Sequence, residues 1–361
     1  MKRDLTIDTL RGLVLYVMAL YHFGGPLKTL VNQPLGFVAG VEGFVYLSGI
    51  VFGLVTGKYY QNLRQLYSKA YTRALLIYKH HIALVLFVFF VSQVVSSIFI
   101  GKSFGPEEFI KNPISTLGSS SLLLFQPWML DILPMFIVYA LIGPIIIFGL
   151  NRNKELLIIL ISFTLWLLMQ ISVIKSNFYG FINSYSFIDL GYFNIFGWQI
   201  LFVIGVCFGY RKSINQKIRY FYSTPIITVM LILFILLFLM KHGLLQFSFI
   251  NSQSAASGQT LSWLRLLNFM VIAYFFGWFI KLNILRNIRA LSYLGQHSLQ
   301  VFVFHVYILY PIRPIKWRIQ ELGDLLMILS SIIFVLILYI PAYFHKNYRF
   351  ERLRLVKINL N

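Results

Sequence analysis

Asp8 to His22 reads DTLRGLVLYVMALYH, an apolar run that carries three ionisable side chains. At 3.6 residues per turn, the eleven-residue step from Arg11 to His22 is almost three whole turns. The two side chains therefore share one helix face, about 16 Å apart along the axis. Asp8 lies one turn before Arg11 on the same face. Because ionisable groups are costly inside a bilayer and those that occur there usually have a function, the run predicts a transmembrane helix with a functional polar face.

A second interpretation of this helix stays open. Asp8 and Arg11 could form a surface pair at the cytoplasmic end, with His22 as an interfacial residue at the outer end. The hydrophobic segment that contains this run follows Met-Lys-Arg-Asp directly and lacks a small-residue cleavage site. These two features favour a retained membrane helix over a signal peptide.

The composition extends the membrane prediction to the whole chain. Of 361 residues, 58% are hydrophobic and only 12% charged, which is more apolar than a typical soluble domain. The net charge of +20 comes from short clusters between hydrophobic runs, a distribution typical of the positive-inside rule and not of a nucleic-acid surface. The single cysteine, Cys207, excludes a disulfide, a cysteine pair or a cysteine metal site, and we predict no metal site.

Hydropathy predicts an all-α polytopic membrane protein with about ten transmembrane helices. The predicted spans are 6–24, 36–56, 74–99, 129–150, 156–174, 195–210, 226–244, 262–280, 291–310 and 325–344. The basic connections 57–73, 211–225 and 281–290 would lie on the same side as both termini, so both termini are expected in the cytoplasm. We expect a single transmembrane domain over 1–345 and a basic cytoplasmic tail over 346–361.

Small and acidic residues give the second span two distinct features. Gly49, Gly53 and Gly57 are four residues apart and form a stripe where a neighbouring helix can approach closely. Glu42 lies just inside the outer end of the same span and could be either a functional carboxylate or an interfacial residue.

Polar residues also recur at the ends of later spans. Asp131 precedes Pro134, whose missing N–H would free backbone carbonyl groups in a helix interior. Ser298 and His305 are seven residues apart and therefore share a helix face.

Seven motifs follow one another along the chain: Arg11-x10-His22, Phe44-Val-Tyr-Leu-Ser-Gly49, Arg73…Tyr78…His81, Gln126-Pro127…Asp131-Ile-Leu-Pro134, Trp198-Gln199, Leu264-Arg265-Leu-Leu-Asn268 and Gly295…Ser298-Leu299. In this order they resemble the motifs of the OpgC-type transferases, which belong to the acyltransferase-3 superfamily and succinylate osmoregulated periplasmic glucans. They extend from residue 4 to about residue 305. Lys69 departs from the pattern, since the superfamily often has an arginine there.

The resemblance implies a membrane-embedded O-acyltransferase of the bacterial inner membrane. It would move a succinyl or acetyl group from cytoplasmic acyl-CoA to hydroxyls of a periplasmic or other extracytoplasmic glucan. Acyl-CoA would be the donor substrate, and no bound cofactor is expected.

The resemblance also assigns a donor site. Arg11, Lys69 and Arg73 would bind the phosphates of acyl-CoA at the cytoplasmic end, because cations form strong hydrogen bonds with phosphate. The alternative for Lys69 and Arg73 is a positive-inside membrane anchor, which is the more common role of such residues. Tyr78 and His81, three residues apart, would lie slightly deeper in the same site.

The expected catalytic group is His22. Its imidazole could deprotonate the acceptor hydroxyl or carry the acyl group itself. Either Glu42 or Asp131 could orient the imidazole, and His305 is the strongest competitor for the role of base. Arg265 or backbone groups near Pro134 could stabilise the thioester oxyanion. The residues expected to contact substrate or oxyanion are Trp198, Gln199, Arg265, Asn268, Ser298 and His305.

Two other functions remain possible. A transporter or proton-coupled permease would suit buried ionisable groups equally well, although the sequence contains no detectable inverted repeat. A structural membrane scaffold would leave the ordered polar motifs unexplained. The acyl group, the acceptor and the oligomeric state stay open.

Overall fold

The structure is a computed structural model that describes residues 3–98, 107–185, 187–216, 222–246, 255–282 and 288–358. These residues form helices joined by short connections. The first eight helices are α1 (Leu5–Phe23), α2 (Pro26–Val31), α3 (Gly40–Thr56), α4 (Leu63–Ile98), α5 (Glu107–Lys111), α6 (Pro113–Ser121), α7 (Ile132–Asn151) and α8 (Glu155–Leu168). The others are α9 (Ser172–Asn183), α10 (Ile195–Ser213), α11 (Thr224–Lys241), α12 (Trp263–Lys281), α13 (Arg289–Gln296), α14 (Ser298–Glu321), α15 (Asp324–Ile337) and α16 (Tyr339–Ile358).

Several helices are long and apolar enough to cross a membrane. Within the described residues, six stretches satisfy both criteria, and a seventh is added if α8 and α9, which are bent by 76°, count as one span. The six are Gly40–Tyr59, Leu63–Val94, Ile132–Asn151, Thr224–Lys241, Trp263–Lys281 and Asp324–Tyr348. The all-α fold with apolar spans is therefore confirmed, whereas ten spans and cytoplasmic termini stay predictions.

Several predicted boundaries differ from the observed helices. Helix α4 begins at Leu63, so most of the predicted connection 57–73 is helical. The predicted spans 156–174, 291–310 and 325–344 are each interrupted, after Leu168, at His297 and at Leu338. Helix α16 continues to Ile358, past the predicted start of the tail at 346. Predicted segments that fall on 99, 217–221, 283–287 and 359–361 lie outside the described residues.

The chain forms two compact units. Unit 1 comprises Met1–Pro34, Ala39–Phe44 and Phe279–Asn361. Unit 2 comprises Leu35–Val38 and Val45–Trp278. Helices α1, α2 and α13 to α16 therefore belong to unit 1, and helices α4 to α11 belong to unit 2.

In unit 2, helices α3 and α10 approach each other at glycines. A Cβ atom on Gly53 would lie 2.7 Å from the backbone nitrogen of Tyr210, and one on Gly205 would lie 3.1 Å from the Cα of Gly49. Side chains do not fit where two backbones are this close. The predicted role of the glycine stripe in close helix packing is therefore confirmed.

In unit 1, helices α1 and α13 make a similar approach. A Cβ atom on Gly295 would lie 2.8 Å from the backbone nitrogen of Gly12. Asp4 caps the start of α1 by accepting hydrogen bonds from the backbone N–H groups of Thr6 and Ile7. This packing holds the polar face of α1 beside the start of α14.

Candidate functional site

Arg11 contacts two side chains in unit 1. Its Nη2 donates a hydrogen bond to the hydroxyl oxygen of Ser298, the first residue of α14. Its Nη1 lies 3.9 Å from a carboxylate oxygen of Asp8. Arg11 is only 7% exposed and Asp8 only 3%. The interpretation of these residues as a surface pair does not fit this burial.

A second arginine shares the same carboxylate. Arg3 Nε lies 2.5 Å from Asp8 Oδ2, and Arg3 Nη2 donates to Oδ1 at 3.2 Å. Two guanidinium groups therefore share the Asp8 carboxylate. The Asp4 carboxylate lies at the same end of α1, so the formal charges of these four side chains balance.

At the other end of α1, His22 meets a second histidine. His22 Nδ1 and His305 Nε2 are 3.1 Å apart, and the two ring planes are nearly parallel, with an interplanar angle of 8°. His305 is buried at 2% exposure, whereas His22 is half-buried. Ser298 and His305 both contact α1, as expected for residues on one face of α14.

The hydrogen-bond partners of His305 are used to assign which ring nitrogen carries the proton in each of the two histidines. Besides meeting His22, the His305 side chain hydrogen-bonds to the backbone of Phe302. Because Nε2 faces His22, the remaining nitrogen, Nδ1, is assigned as the donor to Phe302, and Nε2 is then an acceptor. In this assignment His22 Nδ1 donates to His305 Nε2, and the second nitrogen of His22, Nε2, carries a basic lone pair.

The two carboxylates expected to orient His22 have other recorded partners. Glu42 is fully buried in the first turn of α3 and accepts a hydrogen bond from the Ala39 N–H at 2.9 Å. Asp131 accepts one from the Tyr192 N–H at 2.9 Å. Burial raises the pKa of the Asp131 carboxyl, which precedes α7, to about 6. The structure thus gives His22 an imidazole partner where a carboxylate was expected, and catalytic roles for both carboxylates stay predictions.

Pro134 does not interrupt a helix. It is the third residue of α7, within the first turn, where backbone N–H groups have no intrahelical partner. No carbonyl group is therefore freed by its missing N–H, contrary to the expectation from sequence. The proline in the interior of α7 is Pro144.

Two of the expected donor-binding residues connect helices of unit 2. The Tyr78 hydroxyl donates to the Ser121 carbonyl at 3.1 Å, and His81 Nε2 lies 3.1 Å from the Ser120 carbonyl. His81 has no exposed surface. These contacts attach α4 to the end of α6.

The other two donor-binding candidates lie on the exposed side of α4. Lys69 and Arg73 are both exposed and one turn apart, as predicted. The Lys69 ammonium lies 5.7 Å from the centre of the Tyr59 ring. This arrangement is compatible with phosphate binding and equally with a basic membrane anchor.

Trp198 and Gln199 connect α10 to its neighbours. Trp198 is fully buried, and its Nε1 donates to the Gly258 carbonyl at 2.9 Å. Gln199 Nε2 donates to the Ser162 carbonyl at 2.7 Å, and Gln199 Oε1 accepts from the Ser162 hydroxyl at 2.6 Å. The recorded contacts of both residues are therefore with protein groups of unit 2.

Arg265 and Asn268 lie one turn apart on α12. A Cβ atom on Gly258 would lie 2.5 Å from the Arg265 Nη1, so the guanidinium packs against backbone. Asn268 Oδ1 accepts from the Phe37 N–H at 2.5 Å. The buried Asn268 Nδ2 has no hydrogen-bond acceptor among the described residues.

A second histidine pair was also not foreseen. His297, which separates α13 from α14, lies with its Nδ1 2.7 Å from the Nδ1 of His345. A sequence gives the spacing of histidines within one helix but not which helices are neighbours. No pattern in the chain therefore indicates either histidine pair.

The chain matches one family along most of its length. The family model described as OpgC protein covers residues 3–350. No curated protein and no solved structure matches the chain. Together with its apolar helices, this match shows that the chain is a membrane protein that belongs to the OpgC family.

Proposed function

We propose that this protein is a membrane-embedded O-acyltransferase of the bacterial inner membrane. The acyl group, succinyl or acetyl, comes from cytoplasmic acyl-CoA and is transferred to a hydroxyl group of an extracytoplasmic glucan. The observation that carries the proposal is the contact between His22 and His305 at 3.1 Å. This contact leaves a basic nitrogen on a half-buried imidazole.

In the proposed reaction His22 is the general base. Its Nε2 removes the proton from the acceptor hydroxyl while the hydroxyl oxygen attacks the thioester carbonyl carbon. The C–S bond then breaks, and His22 returns the proton to the departing thiolate. The products are an O-acyl glucan and free coenzyme A.

His305 supports this role by accepting a hydrogen bond. When His22 Nε2 takes up the proton, the imidazolium still donates from Nδ1 to His305 Nε2. A hydrogen bond to a charged group contributes about 1.5–3 kcal/mol. The charged intermediate form of His22 is therefore stabilised where the reaction needs it.

The two arginines near the start of α1 suit the phosphates of the donor. Arg3 and Arg11 both contact Asp8, and arginine binds phosphate through two parallel hydrogen bonds. Arg11 and His22 are about 16 Å apart along the helix axis. An extended pantetheine arm is long enough to bridge this separation, so phosphates and thioester can be held at opposite ends of α1.

The product of the reaction gives the direct test. Membranes containing the protein receive acyl-CoA and a candidate glucan, and the glucan is analysed by mass spectrometry. We expect a mass increase of one acyl unit that depends on both substrates. Membranes containing the His22→Ala variant are the matched control and should leave the glucan unmodified.

A transporter would behave differently in the same system. It would move an intact solute into sealed vesicles without changing the mass of the glucan. Uptake without an acylated product would therefore contradict the proposal.

A further inference from the structure

Two cationic side chains lie at the end of α1 that carries His22, and they have no part in the reaction described so far. The Lys28 ammonium, on α2, lies 4.8 Å from the centre of the Tyr21 ring. The Tyr21 ring is 5.9 Å from the His22 ring. The Tyr21 ring is therefore next to both groups, which places the Lys28 ammonium at the His22 end of α1.

The second cation approaches from α14. The Lys316 ammonium lies 5.8 Å from the centre of the Phe23 ring. A Cβ atom on Gly24 would lie 2.5 Å from the same nitrogen, so the glycine leaves space for the ammonium group. Gly24 and Gly25 both have positive φ angles, +85° and +72°. This turn directs α2 back toward the end of α1.

The side chains of Lys28, Lys316 and Arg313 form a cluster of positive charges at this end of α1. Partial burial lowers the pKa of the Lys316 ammonium, and the charges of Lys28 and Arg313 lower it further. Among the described residues, neither Lys28 nor Lys316 forms a salt bridge. The side chain that packs against Gly25 from α15 is Met327, which carries no charge.

Like charges that lie together repel one another, and a bound anion removes this repulsion. We propose that Lys28 and Lys316, supported by Arg313, form an anion-binding subsite beside His22 that selects a carboxylate or phosphate carried by one of the two reactants. This inference rests on the proposed acyl transfer at His22. Two sources of the anion are possible, a terminal carboxylate of the acyl group or an acidic substituent of the glucan.

The source is identified by matched pairs of substrates. Succinyl-CoA and butyryl-CoA have acyl chains of equal length that differ in the terminal carboxylate, and both are offered with a neutral glucan. A neutral glucan and a phosphate-bearing glucan are then compared with one donor. We expect the wild-type protein to prefer the charged member of one pair.

The variants Lys28→Gln and Lys316→Gln should reduce this preference in kcat/KM by about tenfold or more, since each removes a charge-assisted contact. Transfer of the neutral member should stay unchanged. Lys111→Gln is the control, because it removes one positive charge from an exposed pair with Glu107 in unit 2. A preference that is absent in the wild type, or that survives in both lysine variants, would overturn the subsite.

Anion binding is also measured without catalysis. Succinate and inorganic phosphate are added to the purified protein, and its thermal unfolding is recorded. At least one anion should raise the Tm of the wild type and of Lys111→Gln, but not of Lys28→Gln or Lys316→Gln. If no substrate pair is acylated while this selective stabilisation persists, the subsite holds and the proposed transfer fails. If transfer occurs without any selectivity for charge, the subsite fails alone.

Discussion

On α1, Arg11 and His22 each meet a side chain of α14, whereas on α4, Tyr78 and His81 each meet a backbone carbonyl at the end of α6. The difference is chemical. A backbone carbonyl can only accept a hydrogen bond, so the contacts of α4 hold two helices together. The contacts of α1 join groups that can exchange protons or carry charge.

This comparison distinguishes residues that change the reaction from residues that change the stability. Both kinds are buried or half-buried polar groups, and the family resemblance assigns both to the candidate site. Substitutions on α1 and α14 should reduce rate or donor binding in the folded protein. Substitutions on α4 should reduce stability and leave the kinetics of the remaining folded protein intact.

The largest effect is expected for His22→Ala. Loss of the general base should reduce the rate of transfer at least about 10²-fold, while the amount of folded protein is unchanged. His80→Ala is the control, since the recorded contact of His80 is with the carbonyl of Leu76 in its own helix. Initial rates with saturating acyl-CoA measure both variants. More than about a tenth of the wild-type rate in His22→Ala would exclude this imidazole as the base.

The next largest effect is expected for His305→Ala. Without the acceptor nitrogen Nε2 of His305, the protonated form of His22 loses a hydrogen bond from its Nδ1, and kcat should fall about tenfold to a hundredfold. His305→Gln should restore part of the rate, because its amide oxygen can accept the same proton. If Ala and Gln have equal rates, His305 acts through packing instead of the hydrogen bond.

Arg11→Ala should affect the donor more than the rate. Loss of a phosphate contact should raise the KM for acyl-CoA about tenfold or more. Arg11→Lys should recover only part of the affinity, since an ammonium group lacks the two parallel donors of arginine. A wild-type KM combined with a lower unfolding temperature would identify Arg11 and Asp8 as a structural ion pair.

The smallest effect is expected on α4. Tyr78→Phe removes one hydrogen bond to the Ser121 carbonyl and should lower the free energy of unfolding by about 1 kcal/mol. The KM for acyl-CoA should be unchanged in the folded fraction. Thermal unfolding and steady-state kinetics on the same preparation measure both quantities. An increased KM at wild-type stability would instead support the donor-binding role predicted from sequence.

Features that depend on one helix were predictable from the sequence. The 11-residue spacing of Arg11 and His22 places them on one face, and the glycines at 49 and 53 indicate a close helix contact that the structure confirms. Each prediction needs only the geometry of a single helix and the size of a side chain. Chain composition and hydropathy were sufficient to predict an all-α fold with apolar spans, because each span also depends on one helix alone.

Features that depend on two helices were not predictable. His22 and His305 are separated by 283 residues, and no local pattern shows that α1 and α14 are neighbours. The break at His297 lies inside the predicted span 291–310, and no glycine or proline stands at the break itself to indicate it. Lys28 and Lys316 appear as ordinary basic residues until the turn at Gly24 brings them together.

The glycine contact between α3 and α10 also restricts how this protein can evolve. A Cβ atom on Gly53 or on Gly205 would meet backbone atoms of the opposite helix and not a side chain. A second mutation can shorten a side chain, but it cannot remove a backbone atom. A lineage that loses one of these glycines therefore has no compensating substitution across the contact, and its routes back are reversion or separation of the two helices.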